Sequence, residues 1–307
     1  MWAVAEVPVA VRGGDADAPR PVTPHLLEDW PLPEPEGSKY SRGQALVVGG
    51  SRSTPGGVLL AGRAALRTGA GRLSVAVAAS VAQHVAVALP ECGARGLAED
   101  EDGSVTGEGA GEALAKELER ADAVLVGPGL DSAEGTARLL DELVGRLAED
   151  TPVVLDAYGL TSLPQADPAT ARALRGRLVL TPNAHELAHL LGQEEVSEDH
   201  LVEAALEAAE RFDAVVGAST VVAAGGEVWE MTTGDTGLGT SGSGDVVAGA
   251  TVGLLSRGAS PVQALVWAKY VHAAAGDDLV MRFGRVGYLA GELVDQLPRV
   301  LRSLRGN

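Results

Sequence analysis

From residue 44 onward, short runs of aliphatic residues alternate with longer Ala- and Leu-rich stretches. The short runs are Ala45–Val48, Leu73–Val77, Ala123–Val126, Val153–Leu155, Leu178–Leu180 and Ala214–Val216, and each reads as a strand. Between most of them lie helical stretches such as Pro55–Thr68, Ala133–Ala148 and Glu198–Phe212. In the last of these, Leu201, Ala205, Ala208 and Phe212 recur at helical spacing. Strand and helix in repetition predict a mostly parallel sheet with helices on both faces. Thr220–Ala223 and Glu227–Met231 flank Gly225-Gly226 and read as a hairpin at a sheet edge. The chain then turns helical over Val246–Ser256 and Pro261–Leu279, where Leu265, Ala268, His272, Ala275 and Leu279 share one face. No internal repeat or linker divides this body. The expected organisation is an irregular, Pro- and acid-rich extension over residues 1–37, lying on the surface of one catalytic domain at 38–307.

The strand ends carry the chemistry. Ligands of open parallel sheets bind beyond the carboxyl ends of the strands. Here Val48 runs into Gly49-Gly50-Ser51, Val126 into Gly127-Pro128-Gly129, and Leu155 into Asp156. Leu180 runs into Thr181-Pro182-Asn183 with Glu186 just after, and Val216 into Gly217-Ala218-Ser219-Thr220. Any one such turn needs no explanation beyond turn chemistry. Five at one edge of a sheet point to a cleft.

The strongest local signal is Gly237-Leu-Gly-Thr-Ser-Gly-Ser-Gly-Asp245 before an apolar helix. Glycines let backbone N–H groups turn toward an anion, and a helix start adds free donors and a favourable dipole end. Asp245 stands at that start. Its structural role would be an N-cap. A carboxylate beside a phosphate cradle is unfavourable unless it has a task, and taking a proton from an attacking hydroxyl is one.

Two other motifs fail on context. Gly237-x-Gly-x-x-Gly242 lies late in the chain with an acid only three residues on, which is not the setting of a dinucleotide fingerprint. No Gly-x-x-x-x-Gly-Lys-Ser/Thr occurs. The six histidines (25, 84, 185, 189, 200 and 272) show no zinc spacing, and no metal-ligating set is expected.

Composition narrows the partners. A formal net charge of −18 disfavours nucleic acid and anionic membrane. Cys92 is the only cysteine, and residues 1–11 carry Glu6 and Pro8 without a basic leader, so the expected setting is cytoplasmic. Only Lys39, Lys116 and Lys269 are lysines. Lys116 falls between strands and Lys269 on a late helix, so neither is expected at a strand end. Lys39 and Arg42 immediately precede the first strand, at its amino end and away from the cleft, so backbone N–H groups are expected to carry a bound phosphate.

With these residues in view, the chain resembles the ADP/ATP-dependent NAD(P)H-hydrate dehydratases of the ribokinase-like superfamily. The resemblance rests on Lys39-Tyr-Ser-Arg-Gly43, Ala45-Leu-Val-Val-Gly-Gly-Ser51, Ala64-Ala-Leu-Arg-Thr-Gly-Ala-Gly71, Ala88-Leu-Pro-Glu91, Val126-Gly-Pro-Gly-Leu130, Val154-Leu-Asp-Ala157, Leu180-Thr-Pro182 with Glu186, and Leu238–Asp245. It implies a three-layer α/β/α fold with a mostly parallel central sheet. It implies a lyase that phosphorylates the ring hydroxyl of hydrated NADH or NADPH from ADP or ATP with Mg²⁺, and then eliminates phosphate. It implies Asp245 as the catalytic base. Gly242, Ser243 and Gly244, with Gly217, Ala218, Ser219 and Thr220, would hold the nucleotide phosphates. Gly57, Gly129, Asn183, Asp156 and Glu186 would line the substrate pocket. A homo-oligomer, tetrameric as in the family, is the expected assembly.

Three positions depart from the family pattern: Asn183 stands where His is common, Val216 where Lys is common, and Tyr158 where Asp is common. Two other readings compete. One is a kinase of the same superfamily acting on a vitamin or sugar. The other is a catalytically silent nucleotide-binding protein, against which the retained Asp245 argues.

Overall fold

Ten strands form one sheet in a computed structural model that describes residues 7–34 and 37–304. They are β1 (Arg20–Val22), β2 (Gln44–Val48), β3 (Arg72–Ala78), β4 (Cys92–Leu97), β5 (Ala123–Val126), β6 (Val153–Leu155), β7 (Leu178–Leu180), β8 (Ala214–Ala218), β9 (Val221–Ala224) and β10 (Glu227–Met231). Their order is β1-β10-β9-β8-β7-β6-β5-β2-β3-β4, and only β9 pairs antiparallel to its neighbours. Alternate residues of a strand face opposite sides. In β2, Ala45 and Val47 join one apolar cluster while Leu46 and Val48 join another. The sheet is thus covered on both faces, which gives the three layers.

The register aligns the strand ends. Val48 pairs with Val126, Val126 with Leu155, Leu155 with Leu180, and Leu180 with Val216. The next residue of each strand (Gly49, Gly127, Asp156, Thr181 and Gly217) therefore falls in one row along one edge. Strand order reverses at β2, which has β3 on one side and β5 on the other. The turns after β2 and β5 flank that switch point, where a crevice forms.

On one face lie the helices Gly56–Thr68, Ser243–Ser256 and Pro261–Phe283. The first two meet at backbone distance. A Cβ on Gly249 would overlap the Ala61 backbone, and the Thr68 hydroxyl donates to the Ala250 carbonyl at 3.3 Å. Small residues on both helices allow this approach, and it fixes the start of the Ser243 helix against Gly57.

The extension differs from expectation. Residues 1–6, where the absence of a leader was read, and Pro35 and Glu36 lie outside the described residues. The remainder is not irregular. It holds a short turn of helix at Val9–Val11, strand β1 on the outer side of β10, and a helix at Pro24–Glu28. The Trp229 indole N–H donates to the Val11 carbonyl and that of Trp267 to the Trp30 carbonyl, both at 2.9 Å. Both tryptophans lie far along the chain, so local pattern could not announce these bonds. β4 was also unforeseen, because Cys-Gly-Ala-Arg-Gly-Leu at a sheet edge has no apolar periodicity. Among the described residues no helix is long and apolar enough to cross a membrane.

Candidate active site

The switch-point turns interlock through backbone. Gly50 N–H donates to Pro128 O at 2.7 Å and Ser51 N–H to Gly129 O at 2.8 Å. The Thr54 hydroxyl also donates to Gly129 O, at 2.7 Å. Gly127 has φ +137°, and a Cβ there would overlap the Asp156 carbonyl. Only glycine meets both conditions. The result is a rigid floor on which Gly57, Gly129 and Asp245 converge. A Cβ on Gly57 would stand 3.0 Å from Asp245 Oδ1 and 3.1 Å from Gly129 N.

The Ser243 helix opens over this floor. Its cap is Gly242, with φ +87°, and not Asp245. Asp245 is the third residue of the helix, and its side chain makes no capping bond. The N-cap alternative for Asp245 is thereby removed. The N–H groups of Gly242, Gly244 and Asp245 have no acceptor among the described residues, whereas that of Ser243 donates to Thr240 O at 3.1 Å. The expected donor trio of 242, 243 and 244 is corrected accordingly, since a turn bond already takes Ser243 N–H. The Ser243 hydroxyl has its own partner, His272 Nε2 at 2.8 Å. Nothing lies within 4 Å of the place a Gly244 Cβ would take, so that face of the turn is open.

Asp156 senses two other carboxylates here. Burial first, then the charges of Glu186 and Asp245, push the Asp156 carboxyl up to about 7. The Thr181 hydroxyl at 2.9 Å and the Ala157 N–H offset part of this. Ala157 holds φ +47°, ψ −122°, a conformation that costs an alanine about 1–3 kcal/mol. Burial raises Asp245 to about 6. Burial also raises Glu186. Asn183 and Glu186 form a reciprocal capping box on the helix Ala184–Leu191, with both bonds at 2.9 Å. That local role engages one oxygen of each side chain, so neither residue stands in the site for the ligand alone. Tyr158, exposed, begins the short helix after Ala157.

The other element expected to hold the nucleotide is the turn from β8 to β9. Gly217 and Ala218 are buried at the end of β8, while Ser219 (φ +42°) and Thr220 are exposed in the turn. Val216 points into the cluster on the far face of the sheet. Gly217 points to the near face, where a Cβ would stand 2.8 Å from Leu265 and 3.1 Å from Lys269 Cδ. Lys269 therefore reaches the end of a strand after all. It does so from the helix Pro261–Phe283, across a gap in sequence that no strand-by-strand reading spans. His272 follows one helical turn later and is buried. Burial, and next the Lys269 charge, depress it to about 3, so its ring is neutral. The sequence held one signal for this pair, two basic residues three apart beside an apolar helix face.

Comparison with known proteins settles the lineage. The family model for NAD(P)H-hydrate dehydratase matches residues 45–299. The ADP-dependent (S)-NAD(P)H-hydrate dehydratase of Xanthomonas campestris pv. campestris is 41% identical over 291 residues, 93% of this chain and 97% of that protein. The chain belongs to the NAD(P)H-hydrate dehydratase family.

Another family member, the ADP-dependent (S)-NAD(P)H-hydrate dehydratase of Bacillus subtilis, is 31% identical over 90% of this chain and 95% of that protein. The ADP/ATP-dependent NAD(P)H-hydrate dehydratase of Bacillus subtilis co-crystallised with ATP and Mg²⁺ superposes with a TM-score of 0.75 at 27% identity, covering 92% of this chain and 98% of that one. The chain spans about half the length of bifunctional NAD(P)H-hydrate repair enzymes, 50% of the one from Salinibacter ruber at 38% identity. The ribokinase-like, mostly parallel α/β fold expected from the sequence is the fold found.

Proposed function

We propose that this chain dehydrates hydrated NADH or NADPH at the expense of ADP or ATP, the reaction named for its relatives. The observation that carries the reading is Asp245. It is a partly buried carboxylate without a capping bond, raised to about 6, at a helix start whose neighbouring N–H groups have no acceptor. In this reading Asp245 takes the proton of the ring hydroxyl. The hydroxyl oxygen bonds to the terminal phosphorus of the nucleotide as the bond from that phosphorus to its bridging oxygen breaks, releasing AMP from ADP or ADP from ATP. The N–H groups of Gly242, Gly244 and Asp245 stabilise charge on the transferring group. The ring C–O bond then breaks, assisted by the nitrogen lone pair, and loss of a proton from the adjacent carbon restores the ring double bond.

Gly57 and Gly129 would floor the substrate side, with Asp156, Asn183 and Glu186 along its wall. Gly217–Thr220 would hold the nucleotide. Among the described residues no group of three or more His, Cys, Asp or Glu side chains is arranged to hold a metal ion. Mg²⁺ favours phosphates plus one or two carboxylates over an all-protein cage. These donors fit an ion that enters on the nucleotide, whose charge it offsets. A cytoplasmic homo-oligomer belongs to the same proposal, and light scattering of the purified protein tests the assembly.

The decisive assay mixes protein, Mg²⁺, ADP or ATP and hydrated NADH. Recovery of reduced-nicotinamide absorbance with phosphate release is the expected result. A stable phosphorylated product without recovery would make the chain a kinase, and nucleotide binding without either would make it a silent binder.

A further inference from the structure

Lys269 is a cation without an assignment. It is partly buried and makes no hydrogen bond or ion pair with any described residue. Burial alone lowers it to about 8, with no carboxylate opposing the shift. Reciprocally, neither Asp156, Glu186 nor Asp245 is lowered by a lysine charge. A desolvated ammonium that gains nothing from its own protein is costly, and an apolar residue of similar length would fill the place better. The usual account of such a group is an anion that arrives later.

Its position says which anion. The Lys269 stem crosses Gly217, where the missing Cβ leaves the passage open (3.1 Å to Lys269 Cδ), so the chain reaches the turn 217–220. One helical turn on, His272 holds the Ser243 hydroxyl at 2.8 Å, at the start of the Ser243 helix. The ammonium lies near enough to His272 to depress it. Lys269 thus sits between the turn 217–220 and the start of the Ser243 helix. A neutral His272 neither competes for an anion nor repels the lysine.

We propose that Lys269 binds the phosphate chain of the nucleoside di- or triphosphate and supplies the side-chain cation of the nucleotide site. This rests on the function proposed above and departs from the expectation that backbone N–H groups act without a lysine. The side chain of residue 216, where Lys is common in the family, leaves the opposite face of the sheet.

The test is calorimetric titration of ADP and of adenosine into wild type, Lys269→Met and Lys269→Arg, with Mg²⁺ present, beside thermal melts. Lys269→Met should weaken ADP binding about tenfold or more, as expected for loss of a charge-assisted contact, and leave adenosine binding unchanged. Its melting temperature should hold or rise, because an unpaired buried charge is gone. Lys269→Arg should retain part of the ADP affinity. Unchanged ADP affinity in Lys269→Met overturns the proposal, as does a wild type that does not bind ADP. So does an equal loss for ADP and adenosine, which would mark a structural lysine. The outcomes separate from those of the assay. Tight, Lys269-dependent ADP binding without dehydration leaves this inference standing and sinks the reaction, and the reverse pattern does the opposite.

Discussion

The start of the Ser243 helix and the turn after β8, the two elements proposed to meet the nucleotide, are built from different distances along the chain. At the helix start, the glycine cap, the unpaired N–H groups and the carboxylate all lie within Gly242–Asp245. At the turn, the backbone of Gly217–Thr220 is local, yet the cation beside it comes from the distant helix Pro261–Phe283. A local element can be read and mutated one residue at a time. A composite one depends on packing, since the passage for Lys269 exists only because Gly217 has no side chain. In the proposed function the helix start would carry chemistry and the turn affinity.

The largest expected effect falls on the local element. Asp245→Asn preserves shape and removes the base. Because Asp245 is not the cap, the substitution leaves the helix start intact. Turnover should fall by about 10²–10⁴-fold with ADP affinity nearly kept, in line with the contribution of a general base. Reduced-nicotinamide recovery and calorimetry on the same sample measure both, and near-normal turnover would return Asp245 to a structural part.

Next comes Gly244→Val. No protein atom lies within 4 Å of the added Cβ, so the fold should accept it with little change in melting temperature. A phosphate held by the helix start would meet it. ADP affinity should drop by about tenfold or more, equivalent to 1.4 kcal/mol or above. If ADP binds equally well, the phosphate lies elsewhere and the comparison between the two elements loses one side.

The pH profile tests the same base without mutation. Asp245 is raised to about 6, and the base must be ionised to accept a proton. Activity should therefore fall as pH drops through about 6, approaching tenfold per unit below it. His272, held near 3, does not titrate in this window, so the limb belongs to the carboxylates. Asp156, near 7 and coupled to Asp245 and Glu186, should broaden it. A flat kcat/KM profile from pH 7 to 5 would contradict the assignment of the base.

Much of this was legible in the sequence, and the parts that were not share a cause. β5, β6 and β7 were read to the residue, because apolar runs bounded by turn residues determine short buried strands. The row of Gly49, Gly127, Asp156, Thr181 and Gly217 followed from strand ends alone. β1 was missed because Arg-Pro-Val has no strand signal until β10 offers its edge. Lys269 and His272 were missed because their partners are set by how one helix lies across the sheet. The capping box of Asn183 and Glu186 is written in the sequence as Asn-x-x-Glu, at positions whose family resemblance implies ligand contacts instead.

The smallest effect probes the seam between the two elements. Ser243 begins the helix proposed to meet the phosphate, yet its N–H is bonded to Thr240 O and its hydroxyl to His272. If those bonds are its whole role, Ser243→Ala should change ADP affinity by less than about threefold, below the tenfold that 1.4 kcal/mol represents. It should still destabilise the fold by about 1–3 kcal/mol, because His272 Nε2 loses its partner inside the protein. Thermal or urea unfolding reads the second number and calorimetry the first. A large loss of ADP affinity with unchanged stability would invert the assignment. It would mean that the Ser243 hydroxyl turns from His272 to the phosphate when nucleotide binds, and that helix start and turn act as one element instead of two.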